Sequence, residues 1–286
     1  MTPWFLFTVG ALVLFGVQRF LYKVSAERGC NTAWTSFAFM GTVAALSTAF
    51  FIATAQKVEG FAFFIIISFV NSATFLTGTM TTMEALKRVP ASIAYPLIRL
   101  NTGIVVIFSV LYFKDDLSPC QVGGILLAMV VILLLAGLDD ERKNSRGETR
   151  AGLLLVFVAS LAGAIAAISS KFAALHTNIL GFMALSYLMS MVFSFALRNR
   201  LQRNGENGCA GEALRIGFFM GLVNFLGFYS LLRALSMGPL SLIISITGMY
   251  FIVAIILSLI FYRERLTFTR VFAIILTVLS IVLMRM

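Results

Sequence analysis

Apolar runs about twenty residues long alternate with short polar stretches from one end of the chain to the other. A helix rising 1.5 Å per residue needs about 20 apolar residues to cross the hydrocarbon core of a bilayer. The 286-residue chain holds ten such runs, over about 3–22, 32–55, 61–86, 90–112, 119–138, 151–173, 178–197, 213–235, 239–262 and 268–285. Two connections are longer than the rest: a charged one over 139–150 and a Gly-, Asn- and Arg-rich one over 198–212. The expected fold class is an all-α integral membrane protein with ten transmembrane helices. The first run carries no charge before Arg19, so it reads as a retained helix rather than a signal peptide, which begins with positive charge.

The pattern also repeats. Ala85-Leu86-Lys87-Arg88-Val89-Pro90-Ala91-Ser92 returns 149 residues later as Ala234-Leu235-Ser236-Met237-Gly238-Pro239-Leu240-Ser241. Each copy is followed by an apolar run and then by a similar turn, Lys114-Asp115-Asp116-Leu117-Ser118 or Arg263-Glu264-Arg265-Leu266-Thr267. The expected organisation is a first five-helix repeat over 1–138, a linker over 139–150 and a second repeat over 151–286. Five spans per half is an odd number, so the second half must enter the membrane upside down relative to the first.

Composition agrees with a chain covered by lipid. Hydrophobic residues make up 60% and charged residues 12%, against roughly 25% charged in ordinary soluble domains. The net charge of +10 does not imply a nucleic-acid partner, because the cations sit in short loops between apolar runs and there set topology. Sixteen of the 22 Lys and Arg fall in or beside the odd-numbered connections and five on the other side. The positive-inside rule places the sixteen in the cytoplasm and both termini outside. Cys30, Cys120 and Cys209 lie far apart, and His176 is the one histidine. They make no metal or redox pattern, so no metal and no cofactor is expected.

The duplicated Ala-Leu-x-x-x-Pro-x-Ser element, the span after it, its charged turn and the five-plus-five layout resemble the EamA-like ten-helix members of the drug/metabolite transporter superfamily. The resemblance covers nearly the whole chain. It implies secondary transport by alternating access in a bacterial cytoplasmic membrane, without ATP hydrolysis by the protein itself. It further implies a central cavity lined by helices three, four, eight and nine, with one and six contributing and five and ten peripheral. Substrates across the family include amino acids, sugars, nucleotide sugars, phosphorylated metabolites and drugs. Well-known bacterial members keep both termini in the cytoplasm, and the charge bias of this chain departs from them.

Polar residues inside the runs are the candidate site. Arg99 lies about ten residues into the fourth run, where a cation costs about 2.5–3.5 kcal/mol on insertion scales. Its guanidinium fork suits a carboxylate or phosphate. The alternative is a structural Arg satisfied by backbone carbonyls or a neighbouring Tyr. Helical spacing groups Ser92, Tyr95, Arg99 and Thr102 on one face of that run, and the 149-residue offset maps the face onto Ser245, Gly248 and Phe251 in the ninth. The third run carries Asn71, Phe75, Gly78 and Thr82 on one stripe, which the same offset maps onto Met220, Asn224, Gly227 and Leu231 in the eighth, so that Gly78 and Gly227 coincide. The asparagines suit either ligand or helix-to-helix hydrogen bonds. Lys171 near the end of the sixth run is a further candidate, able also to snorkel to the interface. Pro96 predicts a kink in the fourth run. Gly217 and Gly221 form a GxxxG suited to helix packing.

No carboxylate stands at mid-span, which argues against proton exchange for cationic drugs at such an acid. No HExxH and no phosphate-cradling Gly-rich loop is present, so no catalytic residue is expected and the chain reads as a non-enzyme. The expected function is secondary transport of a small anionic or zwitterionic metabolite, with the solute and the lipid bilayer as partners. The alternatives are a flippase for a lipid-linked intermediate and a non-transporting membrane scaffold or enzyme.

Overall fold

The computed structural model describes residues 3–54, 60–86, 88–89, 94, 97–98, 101–136, 146–201, 210–262 and 268–286. Among these residues every regular element is helical. They are α1 (Pro3–Glu27), α2 (Thr32–Ala53), α3 (Phe61–Leu86), α4 (Asn101–Phe108, continued by a π-helical turn over Ser109–Phe113), α5 (Pro119–Ala136), α6 (Arg146–His176), α7 (Ile179–Leu201), α8 (Ala210–Met237), α9 (Leu240–Gly248), α10 (Phe251–Tyr262) and α11 (Phe268–Arg285). By length and composition, α1, α2, α3, α6, α7 and α8 can each cross a membrane, and the other apolar helices are shorter.

Local chemistry sets the ends of these helices. α1 continues past its expected end because nothing breaks it before Gly29, which takes a left-handed φ of 62°. Asn31 then starts α2: its Oδ1 accepts from the amides of Ala33 at 2.9 Å and Trp34 at 3.2 Å. The fourth run ends at Lys114, left-handed with φ of 54°. The charged stretch expected as a linker is helical from Arg146 onward. The ninth run, expected as one continuous span, is split at Met249 and Tyr250. There the amides of Met249 and Tyr250 bond to Ile246 and Thr247, three residues back, which tightens the turn and separates α9 from α10.

Contact registers give the direction of each helix pair. Residues 33, 41 and 51 of α2 meet 194, 191 and 181 of α7, so the two run antiparallel. α3 meets α6 antiparallel, with Asn71 beside Ser169 and Gly78 beside Ala162. α1 meets α8 the same way, with Gln18 on Asn224 and Trp4 beside Gly238. α2 and α8 run parallel, pairing Thr35 with Gly217 and Thr42 with Gly221. α4 packs on α9, and α5 on α11.

A Cβ at Gly217 would stand 2.5 Å from the Thr35 carbonyl, and one at Gly221 2.9 Å from the Phe39 carbonyl. The GxxxG pair therefore lets α8 lie directly on α2, as small residues do between membrane helices. Phe39, Met40, Phe182, Met183, Tyr187, Met220 and Leu232 fill the interior of α1–α3 and α6–α8. A second apolar cluster joins α5 and α11 to the N-terminal part of α1 and the α9–α10 turn. Large apolar side chains such as Phe50, Ile66, Ile107, Leu154, Phe219 and Ile275 point outward, the face that lipid would cover.

Candidate functional site

Between the two halves lies a cavity of about 150 Å³. α1 contributes Phe15, Gln18, Arg19 and Tyr22, and α3 contributes Thr74, Phe75, Gly78, Thr79 and Thr82. The opposite walls come from Gly163 and Ser170 of α6, Asn224 and Phe228 of α8, Thr247 of α9 and Tyr250 at the break, with Asn101 at the start of α4. The break in the ninth run therefore opens onto the cavity. Gly16 fits beneath it, since a Cβ there would come within 2.8 Å of the Tyr250 carbonyl.

Arg19 is the cation described in this cavity. Its guanidinium carbon stands 4.7 Å from the centroid of the Tyr22 ring and 4.9 Å from that of Tyr250. Two aromatic faces thus hold the half-buried charge in a cation–π arrangement. A chain of hydrogen bonds begins beside it. Gln18 Nε2 donates to the Tyr22 hydroxyl at 3.1 Å, Asn224 Nδ2 to Gln18 Oε1 at 2.9 Å, and the Tyr187 hydroxyl to Asn224 Oδ1 at 2.6 Å. Asn101 is only 7% exposed, yet its Oδ1 has no hydrogen-bond partner among the described residues. A buried acceptor without a donor is costly, and this one borders a cavity in which a ligand's N–H or O–H can meet it.

Of the residues expected from sequence to bind solute, Gly78 and Asn224 line the cavity. Arg99 and Tyr95 lie outside the described residues, as do Ser92 and Pro96. Asn71 is buried and committed to α6: its Nδ2 is 3.0 Å from the Ala166 carbonyl, 2.9 Å from Ser169 Oγ and 3.0 Å from Ser170 Oγ. Lys171 turns away to the end of α8, where its Nζ donates to the carbonyls of Leu235 at 2.7 Å and Gly238 at 2.8 Å. A cation there complements the C-terminal dipole of the helix. Thr102 stands one position beyond Asn101, buried, its Oγ1 without a partner among the described residues. Ser245 bonds back to the Ser241 carbonyl at 2.7 Å. Gly227 lets α1 approach, since a Cβ there would be 3.1 Å from Leu14 Cβ. Gly248 ends α9 and Phe251 begins α10, both buried beside the break.

Sequence reading missed Gln18, Arg19, Tyr22, Asn101 and Tyr250. Arg19 was counted among the loop cations, because the first run was expected to end at residue 22. The helix runs to Glu27, which brings Arg19 inside. The polar face Gln18, Arg19, Tyr22, spaced one and four residues apart, was the signal available.

On the side where α4, α6 and α8 end, the halves are joined. Asp115 Oδ2 accepts from the Ser241 amide at 3.0 Å, from Ser241 Oγ at 2.7 Å and from Ser109 Oγ. Its charge sits at the N-terminus of α9, where the helix dipole favours an anion. Phe113 and Phe172 close beside it with ring centroids 5.2 Å apart.

Residues 150–286 match the EamA-like transporter family. The second half of the chain is an EamA-like domain. The resemblance drawn from the repeat is thereby borne out over the second half, where the match suggests a membrane transporter of the drug/metabolite type. An uncharacterized protein of Methanocaldococcus jannaschii, MJ1333.1, is 27% identical over 128 residues, which span 43% of this chain and 89% of that protein. One solved crystal structure, of a chain described only as a protein, superposes with a TM-score of 0.79 at 16% identity, covering 99% of this chain and 96% of that one. That likeness concerns the fold alone.

Proposed function

We propose that the chain is a secondary transporter that moves a small anionic or zwitterionic metabolite by alternating access. Its ten spans form two inverted five-helix repeats, 1–138 and 151–286, joined through 139–150. The helix pairings support this. Exchanging each span for the one five places on turns the α3–α6 pair into α8–α1 and returns α2–α7 to itself. α2 and α7 also run antiparallel, as counterparts in inverted repeats must. The archaeal relative is about half as long as this chain, the size of one repeat.

The observation that carries the solute class is Arg19, held between Tyr22 and Tyr250 in a cavity between the halves. A half-buried cation there attracts a carboxylate or phosphate, and Asn101 Oδ1 offers an acceptor to a donor elsewhere on the same solute. Arg99 adds a second cation to this reading from sequence. Gly78 leaves room at the wall, and Asn224 orients the polar part. With Arg19 moved from loop to cavity, fifteen cations still face five, so the odd-numbered connections are assigned to the cytoplasm and both termini to the outside. A cytoplasmic membrane is the assigned location.

The test is uptake by proteoliposomes of labelled amino acids, organic acids, sugar phosphates and neutral sugars. The wild type is expected to carry one or more anionic or zwitterionic members. Arg19→Gln should lower that uptake by ten-fold or more, and equal uptake by both proteins would sink the proposal. A C-terminal reporter active only in the cytoplasm would overturn the orientation.

A further inference from the structure

The hydrogen-bonded chain Tyr187–Asn224–Gln18–Tyr22 has a direction, and that direction decides what the cavity can bind. Each amide has one accepting and one donating end. Asn224 lies between Tyr187 and Gln18, and Gln18 lies between Asn224 and Tyr22. Only two arrangements keep all three bonds: the one observed, and its mirror with both amides flipped. In the mirror, Tyr187 accepts from Asn224 and its own hydrogen needs a partner. Asn224 is the polar partner of the Tyr187 hydroxyl among the described residues. The rings of Phe39, Phe75 and Phe228 surround Tyr187, with centroids 6.1, 5.5 and 5.6 Å away. A buried donor left unpaired among rings is penalised, so the mirror is disfavoured. In the observed order Tyr22 accepts from Gln18 and keeps its own hydrogen for Thr79 or for a ligand. Tyr22 and Thr79 both line the cavity, and Arg19 lies over the Tyr22 ring.

We propose that Tyr187, a positioning residue behind the cavity wall, polarises this chain so that Tyr22 donates to an acceptor group of the substrate. The α1 wall thereby selects a carboxylate or phosphate oxygen over an amide N–H₂ of the same shape. The inference rests on the transport reading for the word substrate, while the polarity of the chain stands without it.

Tyr187→Phe keeps the ring and removes the hydroxyl that sets the direction. The ligand-free protein is examined first, by infrared spectroscopy with tyrosine labelled at the phenolic carbon. The band lost in Tyr22→Phe identifies the C–O stretch of Tyr22. That band is expected to shift in Tyr187→Phe, and an unmoved band overturns the inference. Gln18→Met cuts the chain at another link and is expected to shift it too, which serves if Tyr187→Phe does not fold. Calorimetry then compares binding of isovalerate with isovaleramide, and of 3-phenylpropionate with its primary amide. The wild type is expected to favour the acid of a pair, and Tyr187→Phe to reduce that preference at least five-fold. An unchanged preference overturns the inference. Failure of the wild type to bind or transport any anionic solute removes the transport reading, and the infrared band alone then decides the polarity.

Discussion

Asn71 on α3 and Asn224 on α8 each stand in an antiparallel helix crossing, α3 on α6 and α8 on α1, yet the structure uses them differently. Asn71 faces the serines and a carbonyl of α6 and is consumed in holding two helices together. Asn224 faces Gln18 and Tyr187, and it lines the cavity. Both are buried asparagines, and what stands opposite differs. A small hydroxyl one helix away makes a closed contact. A long amide and a tyrosine make a chain that reaches open space.

The most disruptive way to break the comparison is to push α8 off α2. In Gly221→Leu even the first carbon of the side chain meets the Phe39 carbonyl at 2.9 Å. A loss of about 3 kcal/mol is expected, read by denaturant titration in micelles, and it should remove the Asn224 side while α3–α6 survives. Asn224→Leu comes next. It leaves Tyr187 and Gln18 short of partners, for about 1–3 kcal/mol, and should lower proteoliposome uptake ten-fold or more. Asn71→Leu should cost about 1–2 kcal/mol, with uptake per folded molecule kept within about two-fold of wild type. If uptake fell with Asn71→Leu and survived Asn224→Leu, the contrast would be reversed and wrong. The smallest effect serves as a baseline. Asn31→Ala removes the α2 cap for about 1 kcal/mol and should leave solute preference as it was.

The helices were legible because lipid imposes a length and a composition that few other constraints can mimic. Nine of the ten expected spans reappear wholly or largely as described helices, and the fourth does so from Asn101 onward. The break at Met249 and Tyr250 was not legible, since no proline or charge marks it and packing against Gly16 accompanies it. The cavity lining was read in part. Thr102 was named, while its neighbour Asn101, turned about 100° around the axis, is the one that borders the cavity. Arg19 was hidden by an assumption about where α1 stops. Tyr187 was invisible for another reason: its role comes from three phenylalanines on other segments, and no local pattern records that.

The bonds at Asp115 carry a last consequence. They fasten the first half to the start of α9 through the Asp115 carboxylate and the amide and hydroxyl of Ser241, with Ser109 steadying the carboxylate, all groups that water can also satisfy. In the proposed transport cycle, water reaching Asp115 is what would loosen this corner.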